Sequence, residues 1–129
     1  MKKNLETRAD IELLVNSFYD KIRQDASIGY IFDEVAKVNW EKHLPKMYSF
    51  WEMILFNKEG YDGHPLRPHL IINQQHPLNP HHFATWLALF DNTVDEHFEG
   101  EKANEIKTRA KNVALSWAFK IHHLNKAEL

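Results

Sequence analysis

Three observations predict an all-α fold. Only four glycines interrupt the 129 residues. Apolar residues recur at the i, i+3, i+4 spacing of amphipathic helices in four separate stretches. Three of those stretches open on a residue suited to capping a helix N-terminus: Thr7, Asn39 or Asn79.

The length suits one domain over residues 1–129, large enough for one core and too small for two. Hydrophobic residues at 43% and charged residues at 26% are those of a soluble globular protein. Aromatics at 12%, with eight Phe and four Trp, suit a chain that lines something flat as well as filling its own core. The net charge is −2, and the sixteen Lys and Arg are scattered without a basic stripe, so nucleic acid is a poor partner. The absence of cysteine excludes a disulfide framework, thiolate chemistry, an iron–sulfur cluster and thioether-linked haem. The N-terminus lacks the apolar run of a signal peptide, and nowhere do eighteen apolar residues follow one another. The expected setting is therefore cytoplasmic, with no membrane.

The first helix is expected from Thr7, with Asp10 three residues on in a loose capping box. Ile11, Leu14, Val15, Phe18 and Ile22 form its apolar face. Tyr19 follows a core position, and periodicity alone places it at the core boundary with its hydroxyl in water. Gly29 allows a turn, and Ile28, Tyr30, Ile31, Phe32 and Val35 make a short apolar piece of one or two helical turns. Asn39 caps a helix from Trp40 towards Asn57, with Gly60 as its stop and Pro45 within about the first turn, where a missing N–H costs little. One stripe of that helix is Trp40, Leu44, Met47, Trp51 and Ile54, and the neighbouring one is His43, Met47, Phe50 and Ile54. Position alone gives His43 to a cap or to water.

Gly60 to Leu70 is the stretch that breaks the helical pattern, with two glycines, two prolines and two histidines. It presents His69 from a prolyl turn just before the apolar run Leu70, Ile71 and Ile72, as a metal or cofactor ligand would be presented. A short helix is expected over residues 66–73, before Pro77 forbids continuation. Asn79-Pro80 then starts a helix to about Phe98, with Phe83, Trp86, Leu87, Phe90, Val94 and Phe98 on one wide stripe. Gly100 separates it from a last helix to about His123, with Ile106, Ala110, Val113, Ala114, Trp117 and Ile121 inward. Two long helices joined by so few residues pack antiparallel.

Nine histidines raise the question of a metal. Zinc sites on helices use close pairs such as i and i+4, and structural ones recruit cysteine. Here His81-His82 and His122-His123 are adjacent and point to different sides of a helix, and no HExxH occurs. Haem fits the chemistry better. It needs one imidazole, a flat apolar slot with aromatic walls, and a few polar groups opposite the imidazole if it binds gas. His69, His43, Tyr19 and Trp86 can supply these.

Phe18-Tyr19, Gly29-x-Ile31-Phe32, Trp40-x-x-His43, Phe50-Trp51, Gly63-x-Pro65 leading to His69, and His82-Phe83-x-x-Trp86-Leu87-x-Leu89-Phe90 stand in one order along the chain. In these motifs the sequence resembles the truncated haemoglobins of group III, from about Ile11 to Ile121. The resemblance implies a shortened globin fold, a two-on-two helical sandwich with almost no first helix, holding non-covalent haem b and its iron. It implies His69 as proximal metal ligand, Tyr19, His43 and Trp86 as the residues facing bound gas, and Phe18, Phe32, Met47 and Phe50 as lining. A longer prolyl stretch, Ile71 to Pro80, departs from the family pattern and contains His76, a second candidate for the proximal position. The implied function is reversible binding, and with it transport, of O2 or of NO or CO. NO-dioxygenase or peroxide chemistry is an extension, with a reductase as candidate partner. Two alternatives remain: a cofactor-free all-helical interaction module, and a His-rich zinc protein.

Overall fold

The computed structural model describes residues 2–35, 37–58, 69, 73 and 78–127, with side chains through residue 123. Helix α1 spans Arg8–Gln24 and begins as its sequence demands. Thr7 is the N-cap, its hydroxyl accepts from the Asp10 N–H, and the Asp10 carboxylate accepts from the Thr7 N–H in return. The same carboxylate accepts from the Glu6 N–H at 2.9 Å and pairs with Lys3 Nζ at 2.8 Å. Burial by itself would raise the Asp10 carboxyl, but the Lys3 ammonium, the Glu6 and Thr7 N–H groups and the Thr7 hydroxyl outweigh it. They hold the group below the usual carboxylate range.

A folded pKa below the unfolded one stabilises the fold above the ordinary Asp value, and that stability is lost as pH falls through the folded value. Asp10→Asn is therefore expected to cost about 1–2 kcal/mol at neutral pH, the scale of charge-assisted hydrogen bonds. Urea unfolding at pH 7 and near pH 3 checks this: the gap between variant and wild type narrows in acid, and an equal gap at both values would show that the charge contributes nothing.

Ahead of α1, no helix occurs among the described residues. The N-terminal arm instead pairs with the connection after the third helix, Lys3 N–H donating to the His97 carbonyl and Glu99 N–H to the Lys3 carbonyl. Gly100 in that connection has φ +99°, a left-handed conformation open to glycine, and a Cβ there would stand 2.8 Å from Asn4 Oδ1. Gly29 is required for a different reason. A Cβ at that position would lie 2.8 Å from the Arg23 carbonyl oxygen and 2.9 Å from that of Ile22, so glycine lets the returning chain press against the end of α1.

The short apolar piece after Gly29 is a π-helical turn, Ile31–Val35. Helix α2 spans Trp40–Phe56 with Asn39 as N-cap. Asn57, in the left-handed conformation at φ 57°, ends it, so the stop comes three residues before Gly60, which lies outside the described residues. Pro45 sits deeper than its sequence position suggested, in the second turn, where it leaves the Glu41 carbonyl without an intrahelical donor. Glu41 is exposed, so water can serve that carbonyl.

Helix α3 spans Pro80–His97, with Asn79 as N-cap and Pro80 in the first turn. Helix α4 spans Glu101–Ala127, somewhat longer than its apolar stripe required. Helix α1 packs on α2 and α3, α3 packs on α4, and α2 touches α4, which gives the expected two-on-two sandwich. Its core joins Ile11, Leu14, Val15, Phe18 and Ile22 of α1 to Phe90 and Val94 of α3 and Ile106 of α4, all essentially excluded from water. A smaller cluster of Ile31, Leu78 and Ile121, with Phe83 against it, closes the other end. Asn73 ties down the approach to α3. It is buried, and its side-chain oxygen accepts from the Leu78 N–H at 2.8 Å. Among the described residues no helix is long and apolar enough to cross a membrane.

Candidate functional site

Tyr19 is where the structure departs most from helical periodicity. Its hydroxyl is not in water: the side chain is 7% exposed, and burial raises the phenol well above its ordinary value. The cause lies in its helical neighbour and in two other elements. Phe18 lies 5.0 Å away beside it on α1, Phe32 comes from the π-helical turn at 6.0 Å, and Trp40 and His43 come from the first turn of α2 at 5.3 and 5.4 Å. An exposed position on one helix thus becomes an interior one once α2 is laid across it.

The Tyr19 hydroxyl and His43 Nε2 are 3.4 Å apart, a long hydrogen bond whose donor depends on the imidazole tautomer. His43 is half-buried and neither caps α2 nor faces water freely, contrary to its expected placement at a helix start. Burial, and next the positive charges of His69 and Lys46, push its pKa down to about 4. It is therefore neutral at physiological pH.

Trp86 of α3 meets the edge of Phe18 at 5.4 Å and 90°, and stacks on Phe90 at 5.5 Å. Phe18 is thus the shared neighbour of Tyr19 and Trp86, and it brings those two residues to one place. Phe32, Met47 and Trp86 remain half-buried although they border the core. Phe50 is more fully interior, its ring 5.1 Å from Trp51.

His69 is helical and half-buried, and its ring lies 4.5 Å from that of Trp117 on α4. His76 and most of the short segment expected over residues 66–73 lie outside the described residues. His82 belongs to the cap of α3, its Nδ1 accepting from the Asn79 N–H at 3.1 Å. Among the described residues no three His, Asp or Glu converge as a chelating cluster would.

Two neighbours of the site were not legible as such. Trp117 reads as one more core residue of its stripe, and nothing local connects it to His69. Trp40 reads likewise as a stripe residue, although its place three positions before His43 in a helix was a signal that the two share a face.

Comparison with known proteins agrees with this architecture. The model of the bacterial-like globin family matches residues 3–119. The group 3 truncated hemoglobin ctb of Campylobacter jejuni is 31% identical over 117 residues, covering 88% of this chain and 90% of that protein. The crystal structure of group III truncated hemoglobin from Campylobacter jejuni superposes with a TM-score of 0.82 at 29% identity, covering 94% of this chain and 95% of that one. The family match over nearly the whole chain, the identity and the shared fold make this chain a group III truncated haemoglobin of the bacterial-like globin family, and so a haem-binding globin by family.

Proposed function

We propose that the chain holds haem b non-covalently through His69 and binds O2, or NO or CO in its place, beside Tyr19, His43 and Trp86. The observation that carries this reading is the buried Tyr19 hydroxyl 3.4 Å from Nε2 of half-buried His43, ringed by Phe18, Phe32 and Trp40, in a chain whose half-buried His69 packs on Trp117. The residues present suit the group. Among the described residues no chelate set surrounds His69, a haem iron takes one imidazole from a globin, and the half-buried Phe32, Met47 and Trp86 are apolar surfaces that a flat ligand would cover.

When bound, haem supplies an iron with one coordination position open to a diatomic gas. The protein supplies the surroundings. Tyr19 keeps its proton, since burial raises its pKa, and so remains a donor at every physiological pH. In its Nε2–H tautomer, neutral His43 would donate to the Tyr19 oxygen 3.4 Å away and free the Tyr19 hydrogen for the ligand. The Trp86 indole N–H is the second donor, and His43 itself is the side chain able to swing and open the pocket. Sustained NO or peroxide turnover would add a reductase as partner.

The test is the absorption spectrum of protein expressed with adequate haem, as isolated, reduced, and reduced under CO. A Soret band that shifts with CO supports the reading. A colourless protein after reconstitution would return the chain to a helical interaction module, and loss of stability on adding a chelator to it would point to zinc instead.

A further inference from the structure

Trp40 stands one helical turn before His43, and its ring is held by more than packing. Its indole Nε1–H donates to Asp33 Oδ1 at 3.2 Å, and the same oxygen is 3.4 Å from Arg23 Nε. The Arg23 guanidinium carbon lies 5.0 Å from the centre of the Trp40 ring, a cation–π contact, and Phe32 stacks on that ring at 6.2 Å and 25°. The inner side of the indole meets both members of the polar pair, Tyr19 at 5.3 Å and His43 at 5.7 Å. Helical side chains lean back over the preceding turn, so His43 leans towards Trp40, and a His43 ring rotating out of the pocket sweeps the space that Trp40 borders.

We propose that Trp40 is the latch of the His43 gate, a positioning residue set by the Asp33–Arg23 pair, whose release at the surface lets His43 swing and admits ligand. This rests on the haem-binding reading above. The three elements involved are the end of α1, the π-helical turn and the start of α2, so the latch joins the pocket to charges that the solvent reaches. Asp33 and Arg23 are both exposed, and substituting them leaves the core intact.

The experiment uses the haem-loaded protein and Asp33→Asn, Arg23→Gln and Trp40→Leu, read in two ways. The first is CO association after flash photolysis. It is expected to rise about fivefold in Asp33→Asn and Arg23→Gln, the order associated with losing one charge-assisted contact, and at least as much in Trp40→Leu. Salt should speed association in the wild type by screening the exposed pair, and have no such effect in Asp33→Asn. Combining any of these with His43→Ala should give no further increase, because the gate is already gone. The second readout is the indole N–H resonance of Trp40 in the CO complex, assigned by its loss in Trp40→Leu, which should shift in Asp33→Asn. Rates within twofold of wild type in both Asp33→Asn and Arg23→Gln would overturn the latch while leaving haem binding intact. A double variant faster than His43→Ala alone would overturn it too, by showing that Trp40 acts apart from the gate. Absence of any Soret band would instead sink the reading beneath it.

Discussion

His69→Gly is expected to abolish stable haem retention, and millimolar imidazole is expected to restore it. Among the described residues, His43 is engaged with Tyr19, and the Trp117 indole, 4.5 Å from the His69 ring, has no lone pair to give. Without the imidazole only apolar burial would hold the group. Glycine leaves room for exogenous imidazole, so the defect is chemically reversible. Haem transfer to an acceptor globin, followed by absorbance, measures the loss, which should be at least tenfold in rate. Because a group bound only by the folded state stabilises it by mass action, the thermal midpoint of the loaded variant should fall towards that of the cofactor-free protein. An unchanged five-coordinate ferrous spectrum in His69→Gly would transfer the proximal role to His76.

Tyr19→Phe and Trp86→Leu are expected to speed O2 release by about tenfold each and about a hundredfold together. A ligand that gains partial negative charge on binding is stabilised by donors already aimed at it, and beside the Phe18 and Phe32 rings that border Tyr19 each such bond is worth about 1–1.5 kcal/mol. That is close to tenfold apiece. The pH profile adds a second check. Tyr19 is raised by burial above the ordinary phenol value and His43 is lowered to about 4, so neither changes protonation between about pH 5 and 9. Release should be flat across that range in the wild type. Stopped-flow O2 dissociation on both variants decides the matter, and off-rates equal to wild type in each would remove Tyr19 and Trp86 from the ligand's surroundings. His43→Leu should have a smaller effect on release than Tyr19→Phe, because His43 acts on the ligand through the Tyr19 oxygen.

What could be read along the chain was what local physics controls. The caps at Thr7, Asn39 and Asn79 act within three residues, and each lies where its side chain implied. The stripes of α1, α3 and α4 were legible because one face of a helix repeats every turn whatever it packs against. The proline and glycine punctuation before His69 lies outside the described residues, and the ordered motifs carried the family.

Tertiary packing decided the rest. Tyr19 looks half-wet on α1 alone and is interior because Trp40 and His43 cross it from α2. A single helical stripe cannot know its neighbour, and this is the information that separates a boundary tyrosine from a pocket donor. The pairing of His69 with Trp117 and the hold of Asp33 and Arg23 on Trp40 are contacts between different elements, and the lowering of His43 follows first from its burial among them. Residue types named the chemistry available to this chain. Distance and exclusion of water, which exist only once the helices are stacked, decided which of those groups can act together.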